Sequence, residues 1–178
     1  MNAQTRFPHA LPVQIDRLAL AARFSLRAAG ADRAAAGTAF GLALPATIGA
    51  IAISGARRAL CLGPDEWQLD APADEAGAIR AGFAAIYAAH PHSLVEITDR
   101  EVTFRLSGPQ AAELLSVGSP RDPGLMPPGT GARTLFDIAQ AVLIREADEV
   151  FTLTVWNSFV PHVGELLDIA NTELAAGL

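Results

Sequence analysis

The stretch from Gly129 to about Leu174, GTGARTLFDIAQAVLIREADEVFTLTVWNSFVPHVGELLDIANTEL, limits the fold more than any other. Three β-forming runs follow one another, at Ala132–Ile138, Gln140–Arg145 and Val150–Val155, with a charged turn at Glu146–Glu149. Runs this close can only fold back on each other as an antiparallel meander. The middle run, Ala141-Val142-Leu143-Ile144, is apolar at consecutive positions, which predicts a strand covered on both faces. After it come Asn157 or Ser158 as a helix cap, Pro161 in a first turn, and a stripe of Val163, Leu166, Leu167, Ala170 and Leu174. A helix with that stripe covers one face of the meander.

The same grammar runs through the preceding chain. Arg23–Arg27 alternates as a strand does, and Ala31–Leu42 reads as a helix with Asp32 as its cap. Arg57–Leu62 and Glu66–Leu69 are strands around a Gly-Pro-Asp turn, with Ala46–Gly55 an apolar connection before them. Pro72–His90 is helical, capped by Asp74, with Ile79, Phe83, Ile86 and Tyr87 inward. Ser93–Thr98 and Glu101–Ser107 are strands. In the second of these, Val102, Phe104 and Leu106 point in and Glu101, Thr103 and Arg105 point out. A short helix over Gln110–Leu115 and a Pro/Gly-rich loop over Ser116–Gly131 lead into the meander. The order β-α-β-β-α-β followed by β-α-β-β-β-α predicts an α+β fold of two small lobes, the first with the split βαβ, ferredoxin-like order. The expected divisions are an N-terminal arm at 1–22, free to wrap a partner, a first lobe at 23–100 and a second at 101–178.

Composition excludes several function classes. All 13 basic residues are arginine, so lysine Schiff-base chemistry and phosphate-loop lysines are absent. A net charge of −6 without a basic stripe argues against nucleic acid. The longest apolar stretch, Gly41–Gly55, contains Pro45 and falls short of the ~20 residues that cross a bilayer. With one cysteine, Cys61, and no secretory leader pattern, the expectation is a cytoplasmic protein. Mean hydropathy is +0.28, which fits either a permanent partner covering apolar surface, with self-association when isolated, or alanine enrichment alone.

Catalytic groups are harder to find. His90 and His92 flank Pro91 and would need a further ligand to hold zinc; the plainer reading is a polar surface turn. His162 lies in the first turn of the last helix, where the helix dipole disfavours its charged form. Glu146, Asp148 and Glu149 read as a solvated turn, Asp65 and Glu66 likewise, and Cys61 as an inert core residue. Arg57, Arg58 and Arg133 could each bind a carboxylate or phosphate; Arg133, opening a strand beside the Pro/Gly loop, is the leading candidate, and a structural salt bridge is its other reading. No catalytic, cofactor-binding or metal-binding residue is assigned.

Several motifs together resemble a known family. They are LGPDEWQL at 62–69, SLVEITDREVTFRLSGPQAAELL at 93–115, GSPRD at 118–122, PPGTGARTLFDIAQAVLIR at 127–145 and FTLTVWNSF at 151–159. In this pattern the chain resembles the gamma subunit of heterotetrameric sarcosine oxidase, a small relative of the folate-binding aminomethyltransferase fold. Pro120 and Asp122 match a family turn, while Ser119 replaces the usual cysteine and Asn157 a frequent arginine. The resemblance implies fold or docking positions at Arg133, Thr134, Trp156, Ser158 and Phe159. It also implies a non-catalytic subunit that packs on the large alpha subunit and supports oxidative demethylation of sarcosine in one-carbon metabolism. FAD, FMN, NAD and tetrahydrofolate would be held by the partner subunits. The alternative is a stand-alone folate-binding or aminomethyltransferase-like protein, which would need a central cavity between the lobes.

Overall fold

A computed structural model describes residues 11–19 and 21–177. Two five-stranded antiparallel sheets stand face to face, and each carries helices on its outer face. In chain order the strands are β1 (Gln14–Arg17), β2 (Ala22–Ala28), β3 (Ile51–Ser54), β4 (Arg57–Gly63), β5 (Glu66–Ala71), β6 (His92–Glu96), β7 (Glu101–Ser107), β8 (Thr130–Phe136), β9 (Ala139–Ala147) and β10 (Val150–Trp156). The helices are α1 (Arg33–Phe40), α2 (Ala76–Ile86), α3 (Ala111–Ser116) and α4 (Val160–Ala175).

The first sheet runs β3-β4-β5-β2-β6. Without β3 this is the ferredoxin-like order that the split βαβ pattern predicts. Phe24, Leu26, Trp67 and Leu69 alternate onto its helix face, where Phe40 of α1 and Ile79 and Phe83 of α2 meet them. The second sheet runs β1-β7-β10-β9-β8 and contains the β8-β9-β10 meander. Phe104, Leu106, Leu143, Phe151, Leu153 and Val155 pack under α3 and α4, against Leu114, Leu115, Val163, Leu167 and Ala170. Between the sheets lies a small apolar contact of Leu60, Val142 and Ile144, edged by Ile51 and Leu62. This contact explains why β9 is apolar on both faces: one faces α3 and α4, the other faces the first sheet. Gly131 belongs to the same close approach, since a Cβ there would lie 2.8 Å from Ile144 and 3.1 Å from Leu60.

Several expectations need correction. Residues 14–17, assigned to an N-terminal arm, are an edge strand paired with β7. Asn171 of α4 anchors this segment, its side chain accepting from the Val13 N–H and donating to the Val13 carbonyl. Residues 1–10 of the expected arm, and Leu20, lie outside the described residues. Ile51–Ser54, read as part of a connection, is β3, because its pairing with β4 and not its own pattern sets its conformation. Glu101 and Thr103 are buried rather than outward, because the first sheet covers the face they occupy. Tyr87 is exposed, lying one residue past the end of α2.

The expected caps also differ. Asp32, Asp74, Asn157 and Ser158 cap no helix with their side chains; a 3-10 turn leads into each of α1, α2 and α4 and supplies backbone bonds there instead. The Asp32 carboxylate turns to His90 Nδ1, 2.8 Å away.

Candidate functional site

The most unusual chemistry lies between the two sheets. On β5, Glu66, Gln68 and Asp70 alternate with the core residues Trp67 and Leu69, so all three polar groups face the second sheet. The neighbouring strands bring arginines to the same face. Registration sets Arg23 on β2 and Arg58 on β4 directly opposite Asp70. The Arg23 Nε donates to Asp70 Oδ1 at 2.6 Å, and Arg58 Nε and Nη2 donate to Asp70 Oδ2 at 3.1 and 3.0 Å. One carboxylate is thereby clamped by two guanidiniums.

The network crosses to the second sheet at four places. Arg23 Nη2 donates to Thr103 Oγ1 at 3.0 Å, and Thr103 shares a 2.8 Å hydroxyl bond with Thr154. Arg23 Nη1 stands 3.5 Å from Glu101 Oε2. Arg58 reaches Glu146 at 3.2 Å. Arg133 grips Glu66 with both guanidinium nitrogens, at 3.0 and 2.5 Å. These charged and polar contacts tie one sheet to the other at defined points along the seam.

Titration behaviour follows from this packing. Burial pushes the Asp70 carboxyl up, but the charges of Arg23 and Arg58 and their hydrogen bonds outweigh it and hold the group below the ordinary carboxylate range. Glu66 is also held low, chiefly by the hydrogen bonds from Arg133, with burial opposing and the charges of Arg133 and Arg27 adding. Both groups bind fewer protons folded than unfolded. Their stabilisation is therefore complete above the unfolded value near pH 4 and is lost as pH falls toward the folded values. Urea midpoints should accordingly hold steady from pH 7 to about 5 and fall steeply below about 4. Midpoints unchanged down to pH 3 would contradict this account.

The five positions expected to serve fold or docking fall into separate places. Arg133 and Trp156 lie on the face of the second sheet that looks toward the first. The fork of Arg133 is engaged by Glu66, so its salt-bridge reading describes the geometry. Trp156 is 39% exposed, with the Arg100 guanidinium 5.3 Å from its ring centre. Thr134 sits on the opposite, helix-facing side of β8. Ser158 is exposed in the turn before α4, and Phe159 beside it packs on the helix-face core. The five therefore form no single pocket.

Of the seam residues, Glu66 was expected in a solvated turn and is instead 7% exposed and held by Arg133, while Arg23, Gln68, Asp70, Glu101 and Thr103 were not singled out. Their signal was the pairing of an acid-bearing strand, EWQLD, with arginines on RFSLR and RRALCL.

The remaining candidates are accounted for by local contacts. His92 bonds the His90 carbonyl, and His162 lies 2.7 Å from Asp137 in the β8-β9 turn. That bond is the main cause holding Asp137 low. Among the described residues no cluster of three metal-ligating side chains occurs. Glu146, expected as a solvated turn, bridges to Arg58 instead. Burial raises the Cys61 thiol, which keeps it protonated and unreactive. No helix among the described residues is long and apolar enough to cross a membrane.

The paired α+β sheets place this chain in the class of folds that includes the aminomethyltransferases. The glycine cleavage system aminomethyltransferase T of Bartonella henselae superposes with a TM-score of 0.66 at 15% identity, over 90% of this chain and 46% of that one. A more similar structure is a chain of the heterotetrameric sarcosine oxidase of Corynebacterium sp. U-96. It has a TM-score of 0.82 and 25% identity, and the match covers 93% of this chain and 87% of that one. A comparison with curated protein sequences gave no match. The family model for the sarcosine oxidase gamma subunit matches residues 26–173, and the chain belongs to that family.

Proposed function

We propose that this chain is the small, non-catalytic subunit of a sarcosine-oxidase-type heterotetramer, packing on the large alpha subunit and supporting oxidative demethylation of sarcosine. The observation that carries the reading is the family match across residues 26–173. In this reading FAD, FMN, NAD and tetrahydrofolate belong to the partner subunits. In this reading the assembly is cytoplasmic.

The alternative of a stand-alone folate-binding protein needs room between the lobes. At the centre of the seam, among Ser25, Gln68, Arg133 and Gln140, the free space is only about 30 Å³. That admits a water or two, so a pterin has no room at the centre of the seam, and the larger open cavities between the lobes lie at its edges.

Docking is assigned to the end of the second sheet that the first leaves uncovered. There Leu135 and Trp156 share the inter-sheet face and are 48% and 39% exposed, near the paired Arg133. Exposed aromatic and leucine side chains beside arginine are what a buried interface core requires. Leu135→Asp and Trp156→Ala should each weaken association with the large subunit at least ~10-fold, a loss of about 1.4 kcal/mol or more, with little change in melting temperature. Surface plasmon resonance against the large subunit measures this, and wild-type affinity in both variants would remove the docking assignment.

A further inference from the structure

An open groove runs along α4 on the helix-bearing side of the second sheet, away from the seam. Its volume is about 750 Å³. One wall is α4 from Val160 to Glu173, about 20 Å of helix at ~1.5 Å per residue. Arg17, the last residue of β1, stands on the other side. Phe104 forms the floor beneath Gly164, where a Cβ would lie 3.9 Å from its ring. Ile169 also lines the groove and is 49% exposed. Glu165, Asp168 and Glu173 are exposed along it, three carboxylates against the one guanidinium of Arg17.

Exposed carboxylates and a single exposed isoleucine on a helix are ordinary by themselves. What singles out an occupant is the segment tied beside them. Val13 is held at the C-terminal end of the groove: the Asn171 side chain accepts from its N–H at 3.2 Å and donates to its carbonyl at 2.7 Å. Asn171 is the neighbour in sequence of Thr172, which lines the groove. Residues 1–10, MNAQTRFPHA, join the chain at Leu11, two residues before that anchor. At ~3.3 Å per residue a segment of this length reaches about 33 Å, more than the groove is long. It contains no acidic residue. Arg6 carries its permanent side-chain charge, and Phe7 beside it carries its largest apolar surface. Charge, apolar content and reach therefore all match the groove.

We propose that residues 1–10 of this chain fold back along α4 and occupy the groove as an intramolecular strap. Arg6 pairs with Glu165 and Asp168, which stand three residues apart on one helix face and repel each other without a cation between them. Phe7 packs on Ile169 and Phe104. The occupant is the chain's own segment because the individual contacts are weak surface contacts. Only a tethered partner meets them at the millimolar effective concentration they need. While seated, the strap covers Ile169 and is not available to wrap a partner. It is a property of the chain alone and does not depend on which complex the chain joins.

The test uses the full chain with a nitroxide spin label on Gln4→Cys; Cys61, 1% exposed, does not take the label. NMR amide signals from Gly164 to Glu173 should broaden selectively, with those of α2 on the other lobe unaffected. The broadening should survive dilution and weaken in high salt. Arg6→Glu should lower the ratio of docked to undocked segment at least ~3-fold, and so should Phe7→Ala. Asp168→Arg changes an exposed position and leaves the core intact; it should match Arg6→Glu in effect. The two charge reversals combined should restore the broadening. Broadening that is uniform or centred elsewhere would overturn the proposal. So would broadening that fades on dilution, which would assign the groove to a second copy, or an unchanged signal in Arg6→Glu or Asp168→Arg.

Discussion

Asp70→Asn should be among the most destabilising single substitutions in this chain, costing about 3–5 kcal/mol. The reason lies in what remains behind. Asp70 is 7% exposed and accepts from both Arg23 and Arg58. Asparagine preserves the shape but carries no charge, so two guanidiniums remain in the seam with their shared counter-ion gone. Arg23, itself 8% exposed, retains only the distant Glu101 as a counter-charge. For a chain of this size the melting temperature should fall by on the order of 10 °C. The variant should also lose part of the acid sensitivity of the parent, because one of the two depressed carboxylates has been removed. Urea denaturation at pH 7 and pH 4 measures both effects. A cost under about 1 kcal/mol at pH 7 would mean that the clamp contributes little beyond a surface ion pair.

Leu60→Ala is the second large effect, at about 2–5 kcal/mol. Leu60 is 1% exposed and forms the contact between sheets with Val142 and Ile144. Truncation removes buried methyl groups and leaves a cavity that the sheets cannot close, since the ion pairs on either side fix their spacing. Leu60→Met, which conserves volume, should cost less than about 1.5 kcal/mol. Equal costs for the two would show that the seam repacks freely and is not held by its charged contacts. Because Leu60 and Asp70 contribute to one interface, the double variant should deviate from additivity, and a double-mutant cycle reads that coupling.

How much of this was legible in the sequence depended on which neighbours decide each residue's environment. The meander and α4 were legible because their pattern is local: Phe151, Leu153 and Val155 alternate, and Val163, Leu167 and Ala170 recur at helical spacing. The ferredoxin-like order of the first sheet followed from element sequence alone. The polar face of β7 was misread because alternation reports two faces and does not say what covers the second. Glu101 and Thr103 look like solvent-facing residues until a second sheet is set against them. β3 escaped because an edge strand takes its conformation from its partner, and AIAIS does not alternate apolar with polar residues. Of the candidate positions, Arg133 was found for its type and place, while its partner Glu66 lies 67 residues away and is joined to it only by the fold. Asp70 and Glu101 were missed for the same reason. A charged residue in a strand is ordinary in sequence, and it becomes informative once its burial is known.

The family and the docking geometry together make assembly the central claim. Co-expression of the tagged chain with the large subunits of a sarcosine-oxidase-type complex, followed by native mass spectrometry of the purified material, tests it most directly. One copy of this chain is expected in each assembly, retained through size-exclusion chromatography and depleted by Leu135→Asp. Large subunits that assemble and oxidise sarcosine fully without it, while this chain elutes alone as a monomer, would contradict it.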